Sequence, residues 1–133
     1  MPFILPESFA EVAIVEDDDD TAEMLAEMVR LSGYEVRLYH GAQTAMAAFR
    51  KHAPDLVMLD IMMPDISGLE VLRHLRRDPA LHSIPVIILS AKGTPQEVKE
   101  GLEAGANMYL TKPVQFGEVK AALQKFLPGA PAE

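Results

Sequence analysis

At 133 residues, 49% apolar and 24% charged, the chain has the composition of one globular domain large enough for a layered core. A net charge of −8 disfavours binding nucleic acid through its phosphates, and the absence of cysteine removes disulfides, thiolate zinc sites and thiol nucleophiles. No run approaches the roughly 20 apolar residues of a membrane span, so a cytoplasmic chain without membrane insertion is expected.

The opening MPFILPESF is apolar but short, carries two prolines and lacks a basic leader. Residues 1–10 are therefore expected to be a tail, not a secretory signal. VAIV (12–15) reads as the first strand, and five acids follow it directly, Glu16 to Asp20. Acids favour the positive end of a helix dipole, which uses some of this charge, with Asp19 and Asp20 expected to cap and solvate the first helix, and the surplus points to a cation. Helical spacing then runs from Thr21 to Ser32 through Leu25, Met28 and Val29, and stops at Gly33.

A second strand, EVRLY (35–39), leads to an alanine-rich helix over Ala42–His52, which Ala53-Pro54 ends. DLVMLD (55–60) is the third strand, and Leu69, Leu72 and Leu75 or Arg76 mark a helix over Ser67–Arg77. IPVIIL (84–89) is the fourth strand, followed by a helix over Pro95–Ala104. MYL (108–110) is the fifth, followed by a helix over Phe116–Leu127 through Val119, Leu123 and Phe126. PGAPAE (128–133) is expected to be a frayed end or a cut linker. Five β-α units whose middle strands are near-continuous apolar runs predict a doubly wound α/β sheet of parallel strands with right-handed crossovers. The domain is expected to occupy residues 11–127.

Ligands of such sheets bind outside the carboxyl ends of the strands. Strand one ends in Glu16, Asp17 and Asp18, strand three in Asp60, strand four in Ser90 and strand five in Thr111-Lys112-Pro113. Strand two offers no comparable group, as an edge strand away from the site would not. Carboxylates without cysteine or paired histidines suit a hard cation, Mg²⁺ or Mn²⁺. Ser90 can donate to a phosphoryl oxygen and Lys112 can neutralise another. Asp60 is the candidate nucleophile, since a carboxylate can attack phosphorus in line and form an acyl phosphate. Neither GxxxxGK[ST] nor GxGxxG occurs, so no nucleotide pocket is indicated. His40, His52, His74 and His82 have no matched spacing and read as surface or packing residues.

From Glu11 to Leu127 the chain resembles the receiver domain of two-component response regulators. The likeness rests on the acidic group Glu16-Asp17-Asp18, D-x-x-M-P-x-x-x-G from Asp60 to Gly68, Ser90-Ala91, the E-A-G-A turn at Glu103 to Ala106, and Y-L-T-K-P from Tyr109 to Pro113. Each piece is weak alone, and the ordered set is highly specific. The resemblance implies a flavodoxin-like (βα)5 fold with strand order 2-1-3-4-5. It makes Asp60 the phosphoacceptor, with Asp17, Asp60 and the backbone carbonyl of Met62 as direct Mg²⁺ ligands and Glu16 acting through a metal-bound water. Lys112 binds phosphoryl oxygen, Ser90 and Tyr109 form a switch pair, and the Lys112–Pro113 bond is cis. Glu16 and Ser90 stand where aspartate and threonine are also common in the family, and neither departure threatens the chemistry.

The implied partners are a histidine kinase or a histidine phosphotransfer protein. A downstream protein is expected on the face made by strand four, helix four, strand five and helix five. Met62 and Lys92, two residues beyond Asp60 and Ser90, are expected to tune the lifetime of the phosphoryl group. Self-phosphorylation and self-dephosphorylation are then the only chemistry expected, not metabolic turnover. Two alternatives stay open. A Mg²⁺-dependent phosphohydrolase would use Asp60 as its nucleophile, although such enzymes commonly carry a second acid where this chain has Met62. An interaction-only pseudo-receiver is disfavoured by the intact acids, Ser90 and Lys112. A stand-alone regulator and a receiver excised from a longer protein fit equally.

Overall fold

Strands with apolar side chains on both faces must be covered on both faces, and that requirement organises the computed structural model, which describes residues 9–127. The elements are β1 (Glu11–Val15), α1 (Asp19–Leu31), β2 (Glu35–Tyr39), α2 (Ala42–Lys51), β3 (Leu56–Asp60), α3 (Gly68–Arg77), β4 (Val86–Ser90), α4 (Pro95–Glu103), β5 (Met108–Thr111) and α5 (Phe116–Phe126). The strands are parallel, in the order β2-β1-β3-β4-β5. Every residue of β3 and β4 is buried, whereas the edge strands β2 and β5 are mostly half-buried. The expected tails fall largely outside the described residues.

Strand alternation divides the core in two. Val12, Ile14, Met58, Ile87 and Leu89 pack with Leu25, Val29, Val119 and Leu123 of α1 and α5. Ala13, Val15, Val57, Leu59, Val86 and Ile88 pack with Phe49 of α2 and with Val71, Leu72 and Leu75 of α3. Carried one step past the strands, the same alternation puts Glu16, Asp60 and Lys112 in phase with the first set. Ser90 and Tyr109 are in phase with the second. Two groups of polar residues therefore leave one sheet edge on different sides.

The helix ends correct the sequence reading in places. Asp18, not Asp19 or Asp20, caps α1, accepting from the Thr21 amide at 2.8 Å and the Thr21 hydroxyl at 2.6 Å. These bonds hold its carboxyl below the ordinary range. Asp19 and Asp20 occupy the exposed first turn. Gly33, with φ of 99°, ends α1 as its position predicts. Phe116 is 39% exposed, so α5 is held by Val119, Ala122 and Leu123 and not by its first aromatic residue.

Candidate functional site

The carboxyl ends of β1, β3 and β5 bring Glu16, Asp60 and Lys112 together. Lys112 Nζ lies 2.7 Å from Glu16 Oε1 and 3.6 Å from Asp60 Oδ2. The lysine thus reaches Asp60, but its closer partner is Glu16. Glu16 and Asp60 are buried, and Asp17 is exposed at the mouth. One oxygen from each of the three carboxylates lies within 4.8 Å of the other two, an all-oxygen donor set that fits a hard divalent cation. Both Glu16 oxygens already have partners, since Oε2 accepts from the Asp18 amide at 3.2 Å. The Lys112–Pro113 bond is cis, as the resemblance implies.

The loop after β3 is pinned at both ends. The Met62 amide donates to Asp60 Oδ1 at 3.0 Å, and the Gly68 amide donates to the Ile61 carbonyl at 3.2 Å. Asp65, which sequence reasoning missed, reaches across to α2 and accepts from the Ala42 and Gln43 amides at 3.0 and 3.3 Å. A signal was available: the cap position of α2 is Gly41, which has no side chain to satisfy those amides. Asp65 therefore ties the Asp60 loop to the second helix.

Ser90 is fully buried, and its hydroxyl accepts from the Lys92 amide at 3.0 Å. The Lys112 amide donates to the Ser90 carbonyl at 2.8 Å, but no hydrogen bond joins the Ser90 hydroxyl to Asp60 or Lys112 among the described residues. Tyr109 is half-buried, and its hydroxyl donates to the Lys92 carbonyl. Its ring lies against Gly101, where a Cβ would fall 2.9 Å from Tyr109 Cδ2. Ser90 and Tyr109 thus meet through the backbone of Lys92, not directly. Met62 and Lys92 hold matching positions: each turns its amide back onto the polar group two residues earlier and leaves its side chain exposed. His40 and His52 form exposed pairs with Asp19 and Glu11, at 3.4 and 2.8 Å.

Burial pushes the Asp60 carboxyl from the ordinary 3.8 up to about 6. The Met62 amide opposes this, the Glu16 charge adds to it and Lys112 pulls it back. The folded protein therefore keeps this proton to higher pH than the unfolded chain, so ionising Asp60 costs stability. That cost is absent below about pH 4, grows up to about pH 6 and is complete above it. Without divalent cations, Asp60→Asn is expected to be more stable than the parent at pH 8, by on the order of 1 kcal/mol once screening at the site mouth is allowed for. The gain disappears by pH 4. Urea midpoints at both pH values check this, and equal midpoints at pH 8 would contradict the burial cost.

The fold is a parallel α/β sheet with a buried carboxylate, two neighbouring carboxylates and a lysine gathered at its carboxyl edge, where sheets of this class bind their ligands. The particular family follows from comparison. The model of the response regulator receiver domain matches residues 12–124, and the chain belongs to that family. It is 40% identical over 116 residues to the phosphate regulon transcriptional regulatory protein PhoB of Pseudomonas aeruginosa, covering 87% of this chain and 51% of PhoB. The chain spans about half the length of the curated relatives it matches. Among solved structures, the chemotaxis protein CheY4 of Vibrio cholerae aligns with a TM-score of 0.84 at 27% identity, covering 90% of this chain and all of CheY4. The Mn²⁺-bound response regulator Rcp1 aligns with a TM-score of 0.79 at 26% identity, over 92% and 99% of the two chains. The protein is thus a receiver domain, the phosphorylation-activated switch of a response regulator. Among the described residues no helix is long and apolar enough to cross a membrane.

Proposed function

We propose that Asp60 accepts a phosphoryl group from a phosphohistidine of a histidine kinase or phosphotransfer protein in the cytoplasm. The observation that carries this reading is the buried Asp60 carboxylate, 3.6 Å from Lys112 and within 4.8 Å of Glu16 and Asp17. A carboxylate oxygen attacks phosphorus, forming an O–P bond as the N–P bond breaks and the imidazole leaves with the electron pair. Lys112 turns from Glu16 to an equatorial phosphoryl oxygen, and the Ser90 hydroxyl donates to another. Asp17, Asp60 and the Met62 carbonyl would hold Mg²⁺ or Mn²⁺ directly, with Glu16 acting through a bound water. The two existing bonds to Glu16 support that indirect role. When bound, the cation supplies neutralisation of charge on the phosphoryl oxygens. The Mn²⁺ of Rcp1 supports the choice of metal.

Capture of the Ser90 hydroxyl by the phosphoryl group would draw on the segment that bonds Lys92 to Tyr109, and so would reach the face of α4, β5 and α5. That face suits a protein partner, because α4 buries only Gly101 and leaves Leu102 45% exposed. The PhoB relative is a transcriptional regulatory protein of which the matched segment covers only 51%, so any nucleic-acid contact in such a system falls to a separate region. Incubation with acetyl phosphate and Mg²⁺ tests the proposal by intact mass. The parent gains one phosphate and Asp60→Ala none; equal labelling of the two would overturn it.

Met62 and Lys92 flank the approach of water to the phosphorus in this reading. The Met62 sulfur is a weak acceptor and the Lys92 ammonium is no base, so neither orients a nucleophilic water. Met62→Asn offers an amide that does, and in-line positioning is where this reaction gains rate. The acyl phosphate is expected to decay about tenfold faster, equivalent to ~1.4 kcal/mol of barrier. Loss of phosphate after removal of the donor, at constant Mg²⁺, measures it. An unchanged or longer lifetime would place control of water elsewhere.

A further inference from the structure

Two adjacent methionines follow Asp60, and the fold treats them in opposite ways. Met63 is 9% exposed and packs in the core, whereas Met62 is 53% exposed beside the phosphoacceptor. Met62 is the most exposed methionine among the described residues; Met24 on α1 follows at 42% and Met58 is fully buried. Its backbone cannot carry the thioether away from Asp60. The Met62 amide is bonded to Asp60 Oδ1, and the same loop is closed at Gly68, where even a Cβ would fall 2.5 Å from the Ile61 Cα. The Met62 side chain is therefore open to solvent on a backbone tied to the reacting carboxylate.

We propose that Met62 is an oxidation site whose conversion to the sulfoxide shortens the life of the phosphoryl group on Asp60. The inference rests on the reading of Asp60 as phosphoacceptor. The oxidant is a hydroperoxide of the hydrogen peroxide class. A sulfur lone pair attacks one peroxide oxygen, the S–O bond forms as the O–O bond breaks, and the departing hydroxide leaves as water by taking up the proton carried on the transferred oxygen. Sulfur is oxidised by two electrons and the peroxide is reduced. Oxidation of this kind turns a flexible apolar side chain into a polar one, and exposure governs susceptibility. The product carries a strong acceptor oxygen where the thioether offered only a weak one. A water bonded to that oxygen is held beside the phosphorus, the same change that Met62→Asn makes by substitution. Oxidative exposure thereby becomes a second input to the switch, one that resets it faster without touching the kinase.

The test treats the unphosphorylated protein with hydrogen peroxide, removes the excess with catalase, phosphorylates it with acetyl phosphate and Mg²⁺, and follows phosphate loss by intact mass. Peptide mass spectrometry reads the sulfoxide at each methionine. In the parent, Met62 is expected to oxidise ahead of Met58 and Met63, and decay to quicken about tenfold. In Met24→Leu the acceleration persists. In Met62→Leu the ratio of decay rates after and before peroxide is one, whatever the basal rate of that variant. Methionine sulfoxide reductases of both epimer specificities restore the original lifetime in the parent. Stoichiometric sulfoxide at Met62 with an unchanged or longer lifetime overturns the inference, as does equal acceleration in Met62→Leu. Failure of the Asp60 reading looks different, since no phosphate is then taken up by treated or untreated protein.

Discussion

Gly68→Ala is expected to lower the free energy of unfolding by about 3 kcal/mol, the upper end of the usual cost of overpacking. A Cβ at this position falls 2.5 Å from the Ile61 Cα and 2.6 Å from the Asp60 carbonyl oxygen. Both are backbone atoms, so no rotamer change relieves the clash and the loop itself must move. The first residue of α3 thus sets how closely that helix approaches the end of β3. Phosphate uptake is expected to fall by more than the unfolded fraction accounts for, because the displaced atoms belong to Asp60 and its neighbour. Gly117→Ala is the control. Gly117 is the second residue of α5, nothing lies within 4 Å of an added Cβ, and alanine there is expected to stabilise by roughly 0.5–1 kcal/mol. Urea midpoints of the two variants check both signs; a Gly68→Ala midpoint equal to the parent's would show that the loop yields without cost.

Mg²⁺ at 100 times its dissociation constant is expected to stabilise the protein by roughly 2.7 kcal/mol, a rise of roughly 10 °C in thermal midpoint for a domain of this size. Three carboxylates have one oxygen each inside 4.8 Å, and Lys112 pairs with two of them, Glu16 and Asp60, so the site is under-neutralised when all are ionised. A cation relieves that repulsion only in the folded state. Asp17 is the informative residue to change, because it is exposed and its removal leaves the core packing intact. Asp17→Asn keeps an oxygen but loses the charge. If affinity falls about hundredfold, the stabilisation at the same Mg²⁺ concentration drops to roughly 0.4 kcal/mol. Differential scanning fluorimetry across a Mg²⁺ titration measures both proteins. An undiminished shift in Asp17→Asn would put the cation outside the acidic cluster.

Strand alternation and strand ends are properties of local sequence, and what depends on them was legible in it. Runs such as LVMLD and VIILS announce strands buried on both sides. Once the strands are parallel, Glu16, Asp60, Ser90 and Lys112 must leave the sheet at one edge. The motifs around them were specific enough to indicate the family, the strand order and the cis bond between Lys112 and Pro113. Contacts between segments distant in sequence were not legible, because no period or motif encodes the distance between two loops. Only the packed fold decided that Lys112 sits closer to Glu16 than to Asp60, and that Asp65 supplies the cap missing at Gly41. It likewise decided that Tyr109 meets Ser90 through the Lys92 backbone and that α3 approaches closely enough to require Gly68. Asp18 lies between the two cases: four consecutive aspartates, Asp17 to Asp20, all have the chemistry of a cap, and only the place where the backbone turns into α1 selects one. Periodicity reports which side of an element is buried, and close approach between elements is set by how those buried sides pack against one another.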